Sequence, residues 1–264
     1  MMGRCELCRQ YRKLQDSHLL PRALYKRLLD KANRNPHPLL FSSEDEHQTS
    51  RQARQFLLCS ECEQRFHRLG EDWTLDHCAR DAHAFKLREI LLRHSGQELV
   101  DGMCRCYYCA TIAEISANHL CYFALSVIWR AAVRSWVIDG KRTTQLALGP
   151  YTESFRGYLA EAAPFPVDTV VWVCVSSLKE LPLICRFPAT RKYVEYKTHF
   201  FSIPGLTFTV AVGKLTPQWA RDICLYRGRD RPLLYTAAAD LANAHEIARL
   251  INLRNAGINV RLDQ

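Results

Sequence analysis

The segments Cys5-Glu-Leu-Cys8 and Cys59-Ser-Glu-Cys62 decide what the first quarter of this chain can form. Each pair has the C-x-x-C spacing that lets two thiolates reach one ion at about 2.3 Å while the backbone turns. Two such pairs supply the four sulfur ligands of a closed structural zinc site. We therefore predict that Cys5, Cys8, Cys59 and Cys62 bind structural Zn²⁺; ordinary buried thiols or a redox pair are the alternatives.

The intervening residues 9–58 form a longer gap than a simple zinc finger has, but a treble-clef module tolerates insertions between its knuckle and its helix. A short helix over residues 22–31, with apolar Leu24, Leu28 and Leu29, occupies part of the gap. Residues 35–50 mix Pro, Ser, acids and His without periodicity, which predicts an exposed loop. A module this small needs the ion in order to fold, because metal binding supplies much of its folding free energy.

A second motif, Ser17-His18-Leu-Leu-Pro21, follows the first cysteine pair, and Glu63 directly follows the second. Together, CELC, SHLLP and LLCSECE resemble the HNH, or ββα-metal, endonucleases. More narrowly, these motifs and the later FALSVIWRAAVRSW (residues 123–136) are similar to a bacterial group of HNH-like proteins. The resemblance implies that His18 lies on the first hairpin strand of a treble clef and that the second pair opens a helix.

The resemblance also implies a division of roles for phosphodiester hydrolysis. His18 becomes the general base that activates water, since a histidine titrates near neutral pH. Glu63 becomes a ligand of a catalytic metal, and a carboxylate favours Mg²⁺ or Mn²⁺. His67 and Glu71 follow at i+4 and i+8, so one helix face is expected to carry all three side chains toward that metal.

The sequence departs from the HNH pattern at three places. Ser17 replaces the usual Asp or His before the base, Glu63 replaces the closing His, and residues 51–58 contain no Asn. This segment before the second cysteine pair instead contains Arg51, Gln52 and Arg54. These side chains are expected to hold phosphates or to position His18. A solvated turn is the alternative reading of these three residues.

Structural roles are the alternatives for the other candidate residues. His18 can hold the knuckle through a backbone carbonyl, and Glu63 can be an acid that interacts favourably with a helix N-terminus. Glu71 can belong to a turn or cap, and His67 can simply face solvent. These alternatives leave a non-catalytic zinc module open.

The remainder of the chain predicts an α+β fold in three segments: a zinc module over residues 1–77, a helical scaffold over 78–163 and an α+β domain over 164–264. Helical spacing predicts helices over residues 82–94, 112–137 and 151–162, the last with a capped start at its Thr and Glu. Short β-branched and aromatic runs predict strands over residues 169–175, 193–198, 200–203 and 206–212, with a hairpin turn at Pro204-Gly205. A final helix is expected over residues 236–254, and the sheet is expected to be antiparallel.

Other cysteines and two arginines carry weaker signals. Cys104, Cys106 and Cys109, completed by Cys78 or Cys121, could form a second metal site, although only Cys106 and Cys109 have knuckle spacing. Isolated cysteines in apolar context are expected in the core: Cys174, Cys185 and Cys224. Arg130 and Arg134 lie one turn apart, where they either grip a phosphate backbone or snorkel from a packed helix.

The composition and charge of the chain limit the classes of protein to which it can belong. With 36 Lys and Arg against 27 Asp and Glu, the formal charge of +9 is compatible with a polyanionic partner such as DNA. The first residues lack the apolar core of a secretory signal, and residues 115–137 contain polar and charged side chains that a bilayer would penalise, so we expect a cytoplasmic protein with no membrane segment. The function expected is a DNA endonuclease that acts with a protein partner or larger complex, in defence against foreign DNA; the alternative is a module that only binds nucleic acid or protein.

Overall fold

The computed structural model describes residues 1–28, 39–41, 46–48, 52–81, 83–100, 104–138, 141–178, 181, 185–192, 196–226 and 231–236. Its elements are mixed α+β, as the sequence predicts. The strands are β1 (Met2–Arg4), β2 (Tyr11–His18), β3 (Leu39–Phe41), β4 (Glu46–Gln48), β5 (Arg54–Cys59), β6 (Gln97–Val100), β7 (Cys104–Tyr108), β8 (Val137–Ile138), β9 (Lys141–Arg142), β10 (Thr169–Ser176), β11 (Cys185–Lys192), β12 (Lys197–Ile203), β13 (Leu206–Val212) and β14 (Pro232–Thr236). The α-helices are α1 (Arg22–Leu28), α2 (Ser60–Phe66), α3 (Asp72–His77), α4 (Lys86–Leu92), α5 (Ala117–Val133), α6 (Tyr151–Leu159) and α7 (Gln218–Asp222).

The N-terminal elements form a small sheet in the order β1-β2-β5, with antiparallel pairing throughout. Helix α2 begins at Ser60, directly after β5 ends at Cys59. A π-helical turn over His67–Glu71 then joins α2 to α3 without a break. In the antiparallel β2–β5 pair, His18 at the end of β2 lies opposite Arg54, and Cys59, directly before Ser60, lies opposite Leu14.

Helix α5 is the scaffold centre that its sequence predicts, since nearly all of its side chains are buried. It begins at Ala117, five residues later than predicted, because the Ser116 side chain caps it by accepting a hydrogen bond from the backbone N–H of His119. It ends at Val133, where Arg134 adopts an extended backbone. Helix α6 has Pro150 at its N-cap with no side-chain cap, so the predicted Thr and Glu cap is wrong.

The larger sheet has nine strands in the order β4-β3-β11-β12-β13-β10-β14-β7-β6. Two pairings are parallel, β10 with β14 and β11 with β3, so the sheet is mixed and not purely antiparallel as predicted. The predicted exposed loop over residues 35–50 contains β3 and β4, and the predicted helical segment contains β6 and β7. All three predicted segments thus contribute strands to one sheet.

The strand predictions are most accurate around the β12–β13 hairpin. Strands β10 and β13 match their predicted ranges to within a residue, and Pro204-Gly205 forms the turn, since Ile203 pairs with Leu206. The predicted run over 200–203 lies in β12, which also contains the end of the run predicted over 193–198; residues 193–195 lie outside the described part. Strand β11 was not predicted because Pro188 interrupts it, and the register shifts between Arg186 and Ala189. The predicted final helix lies outside the described residues beyond Thr236, which ends β14.

One hydrophobic cluster runs from Cys5 in the N-terminal module to Leu233 in β14. Its largest fully buried side chains include Trp129, Trp136 and Phe201. Among the helices that the structure describes, none is both long enough and apolar enough to cross a bilayer.

Candidate functional site

The four cysteines of the two C-x-x-C pairs converge, and their sulfur atoms all lie within 4.8 Å of one another. The Sγ atoms of Cys8 and Cys59 are 3.9 Å apart. A zinc ion with four sulfur ligands at about 2.3 Å places its sulfurs about 3.8 Å apart, so this spacing suits a tetrahedral site. Cys5, Cys8, Cys59 and Cys62 can therefore bind a metal ion such as zinc, and their predicted clustering is confirmed.

The backbone shapes this cluster locally. Cys5 and Cys8 lie in the turn between β1 and β2, which closes through hydrogen bonds from the Cys5 N–H to the Gln10 carbonyl and from the Arg9 N–H to the Cys5 carbonyl, both 2.9 Å long. Arg9 has a φ of 63°, the left-handed conformation that reverses the chain after Cys8. The N–H of Cys59 donates to the Cys5 sulfur over 3.3 Å, which stabilises a thiolate there.

Within the cluster, Cys5 and Cys62 interact through a side-chain hydrogen bond. A hydrogen bond from Cys62 is the main cause that lowers the pKa of the Cys5 thiol to about 4, against the opposing effect of burial. The same bond and burial raise the pKa of Cys62. A thiolate held among neighbouring thiols is the arrangement that a divalent cation stabilises by replacing their protons.

Ion pairs attach the cysteine knuckle to the helical scaffold. Glu6, between the first two cysteines, accepts from Arg134 at the end of α5 over 2.6 Å. Arg9 reaches Glu153 of α6 over 2.5 Å, and Arg156 of the same helix donates to the Leu7 carbonyl over 3.1 Å. Arg134 thus pairs with Glu6 of the cysteine knuckle.

Next to the cysteines, the structure brings together Ser17, His18 and Glu63. Ser17 is buried at the end of β2, and its hydroxyl donates to the Glu63 carboxylate while accepting from the Leu58 N–H over 3.2 Å. His18, the next residue, is half-buried at the strand end. Glu63 lies in the first turn of α2, so residues far apart in the chain share one small region.

His18 is oriented by Gln52, whose side-chain oxygen lies 2.7 Å from the ring Nε2. Because an amide oxygen only accepts, Nε2 carries the proton and Nδ1 is the acceptor in the neutral ring. Burial lowers the pKa of His18, and the hydrogen bond with Gln52 and the nearby carboxylates of Asp16 and Glu63 oppose that shift in part. His18 is therefore a neutral acceptor near pH 7.

The predicted phosphate-contact residues fall in three different situations. Gln52 holds His18, which is one of the two roles expected for it. Arg54 pairs with His18 in the β2–β5 ladder, and its side chain is 63% exposed beside Asp16, 3.0 Å away. Arg51 lies outside the described residues.

His67 follows Glu63 at the predicted α-helical spacing, since its backbone N–H donates to the Glu63 carbonyl, whereas Glu71 is not open to a metal ion beside them. Glu71 is buried, with one carboxylate oxygen bonded to Arg130 and the other 2.9 Å from His67 Nδ1. Burial on its own raises the pKa of Glu71, but Arg130 and His67 outweigh that effect and lower it to about 2. Because Glu71 is buried and both of its carboxylate oxygens have partners, it cannot serve as an open metal ligand.

Arg130 is the residue of this region whose importance sequence reasoning missed. It neither snorkels nor grips a phosphate: it is 1% exposed, with its guanidinium 4.8 Å from the Phe66 ring and 3.5 Å from the Leu19 carbonyl. The available signal was an arginine within the apolar helix of residues 117–133, where a buried charge requires a partner.

The structure does not assemble the predicted second cysteine site from the side chains that it describes. Among these side chains, the ligand atoms that converge are those of Cys5, Cys8, Cys59 and Cys62. The Cys104 side chain lies outside the described part, and buried cysteines of the second set include Cys78, Cys106, Cys109 and Cys121. Cysteines predicted in the core are buried there: Cys174, Cys185 and Cys224.

Comparison with known proteins finds no family model that matches this chain, and no curated protein or solved structure with significant similarity to it.

Proposed function

We propose that the N-terminal module is a metal-dependent endonuclease centre of the HNH type that hydrolyses phosphodiester bonds of DNA. The proposal depends on the Ser17–Glu63 hydrogen bond, with His18 next in the chain and electrostatically influenced by Glu63, beside four clustered cysteines. The β1–β2 knuckle, the β5 strand and the α2 helix follow the order of a treble clef. In this reading, zinc holds the fold and the neighbouring residues perform the chemistry.

His18 is the general base of the proposed reaction. Its Nδ1 is an acceptor while Gln52 holds the protonated Nε2, and its lowered pKa keeps the ring neutral near pH 7. A neutral imidazole in a defined orientation can take a proton from a water that attacks phosphorus. Gln52 acts through His18 as a positioning residue.

The donors around Glu63 suit a hard divalent cation. A carboxylate and the Ser17 hydroxyl are oxygen ligands, which favour Mg²⁺ or Mn²⁺, and Mg²⁺ commonly binds proteins through one or two carboxylates, with waters and phosphate as its other ligands. When bound, such an ion supplies charge stabilisation on the phosphate. Glu63 would hold it with Ser17 as a neighbouring donor; His67 is exposed but already pairs with Glu71.

DNA would approach from the side of Arg54, which is exposed and pairs with His18 across two strands. Its guanidinium can hold a phosphate next to the base, and the net charge of +9 favours binding of a polyanion. By analogy with other nucleases that endanger their host, we extend the proposal to an effector in defence against foreign DNA that works with a protein partner.

Plasmid cleavage tests the catalytic proposal. Wild type, His18→Ala, Glu63→Ala and Gln52→Ala are incubated with supercoiled plasmid and Mg²⁺ or Mn²⁺, while zinc content and circular dichroism check that each variant folds. We expect nicking that disappears in His18→Ala and Glu63→Ala and falls by about 10²-fold or more in Gln52→Ala. Cleavage by His18→Ala at the wild-type rate would refute the assignment.

A non-catalytic zinc module that binds nucleic acid or a protein partner is the second candidate. The Ser17–Glu63 hydrogen bond favours it, because this bond satisfies the carboxylate without a metal ion. This candidate predicts DNA binding without cleavage. Its binding constant should fall steeply as salt rises, because phosphate contacts release counterions.

A further inference from the structure

A cleft of about 480 Å³ lies outside the region of His18 and Glu63. It opens between the start of α5, the end of α6 and Tyr226, with Leu69 of the π-helical turn at one side. None of Ser17, His18, Gln52 and Glu63 lines it. Its volume lies in the range of about 300–1,000 Å³ that is usual for small-ligand sites.

The walls of the cleft are aromatic. The Tyr158 ring stands at 83° to Phe165 and at 88° to Tyr226, with centroid distances of 5.5 and 5.9 Å. Phe165 and Tyr226 stack with centroids 3.9 Å apart, and Tyr122 lies 5.9 Å from Tyr158. These mutual contacts hold the rings in place, so a planar ligand meets walls that are already formed.

One carboxylate, Glu161, lines the cleft, and three arginines contact residues that line it. Glu161 lines the cleft, with Arg65 at 3.3 Å and Arg68 at 3.8 Å. Arg231 lies 5.7 Å from the centre of the Tyr226 ring and donates to the Asn118 side-chain oxygen over 2.8 Å. The excess of positive charge suits an anionic group at the rim, while Glu161 can accept a hydrogen bond from an amino group.

We infer that this cleft binds the base of a phosphate-bearing nucleotide, with the base against the aromatic rings that line it and the phosphate near Arg231. Base stacking on aromatic side chains together with arginine contacts is how proteins commonly hold unpaired nucleotides. An organic cation would meet the surplus of arginines, and a purely apolar ligand would use none of the rim. The nucleotide can be free or part of a single strand, since both present the same base and phosphate.

The test uses the full chain and fluorescence titration with deoxyadenosine monophosphate, a short deoxyadenosine oligonucleotide, adenosine and ribose 5-phosphate. Ala163→Trp places a bulky ring in the cleft without removing a packed residue, since Ala163 is exposed and lines it. Ala162→Trp is the matched control, because Ala162 is equally exposed and does not line the cleft. Arg231→Gln removes the rim cation.

We expect the nucleotide to bind more tightly than adenosine or ribose 5-phosphate, and Ala163→Trp to weaken it by about tenfold or more. Ala162→Trp should bind like wild type, and Arg231→Gln should abolish the advantage of the nucleotide over adenosine. Tighter binding of the oligonucleotide assigns the cleft to a strand; equal affinities assign it to a free nucleotide.

Two results would overturn the inference: no saturable binding of either nucleotide ligand by wild type up to about 1 mM, or equal binding by Ala163→Trp and wild type. Because the cleft and the region of His18 share none of the residues named for catalysis, nucleotide binding and plasmid cleavage can fail separately. Circular dichroism of each variant distinguishes lost binding from lost folding.

Discussion

The Glu71 carboxylate lies in the core with both oxygens occupied, one by Arg130 and the other by His67. Arg130 also lies over Phe66 and reaches the Leu19 carbonyl, one residue beyond His18. The buried pair therefore connects α5, the π-helical turn and the end of β2. Removing one member would leave the other charge buried without its partner, which typically costs roughly 3–5 kcal/mol.

The pH dependence of stability follows from the pKa of Glu71. Arg130 and His67 overcome the effect of burial and hold the pKa at about 2, below an unfolded value of about 4.3. The stabilisation is therefore present above about pH 4.3 and is lost as pH falls toward 2. Urea denaturation should show that Glu71→Gln is roughly 3–5 kcal/mol less stable than wild type at pH 7, with a smaller difference at pH 3.

Glu114→Gln is the control, because Glu114 is half-exposed and pairs with Arg93 over 3.5 Å at the surface. A surface pair of this kind contributes little, so the variant should match wild type at both pH values. If Glu71→Gln lost the same free energy of unfolding at pH 7 and at pH 3, the result would contradict a charged Glu71 in the folded protein.

At the scale of elements, the β12–β13 hairpin depends on Gly205. Its φ of +78° lies in the left-handed region, and a Cβ there would come within 2.6 Å of the buried Phe85 ring. The turn thus sets both the pairing of the two strands and their contact with the residue that precedes α4.

Gly205→Ala should destabilise the protein more than Gly149→Ala. Gly149 also has a positive φ, +59°, but nothing lies within 4 Å of a Cβ built there, so alanine pays only the backbone cost of about 1–2 kcal/mol. At Gly205 the collision with Phe85 adds to that cost. Thermal unfolding of both variants measures the difference; equal losses would show that Phe85 moves aside freely.

The accuracy of the sequence predictions also differs between elements for physical reasons. β10 and β13 have uninterrupted β-branched and aromatic runs, so their ranges are readable locally. The range of β11 is not readable in this way, because Pro188 interrupts its pattern. The strand still pairs with β12, with a bulge between Arg186 and Ala189. The π-helical turn carries no local sequence signal, and the burial of Glu71 depends on Arg130 of a distant helix.

For the whole molecule, the four-cysteine cluster and the hydrophobic core belong to one connected unit. The hydrophobic cluster is continuous from Cys5 to Leu233, and Glu6 and Arg9 pair with the scaffold helices. Residues from all three predicted segments contribute to this cluster. We therefore expect loss of the metal to lower the thermal stability of the chain well beyond the N-terminal module.

Cys59→Ser tests this coupling. The variant should lose bound zinc and unfold in a single transition at a lower temperature than wild type, because metal binding contributes folding free energy. Chelation of zinc from wild type should have the same effect. Cys224→Ala is the control: Cys224 is buried away from the cluster, so zinc content should be unchanged. A calorimetric trace with a separate, unshifted upper transition would contradict a single cooperative unit.

The sequence by itself determined the four-cysteine cluster, the central helix α5 and the β12–β13 hairpin. Each is encoded by the spacing of nearby residues: two thiols can reach one ion across a two-residue gap, and a glycine permits a turn. Only the tertiary structure decided the pairing of Ser17 with Glu63 and of Glu71 with Arg130, and the joining of β3 to β11. These contacts unite residues from distant parts of the chain, and the packing that brings them together leaves no local pattern to read.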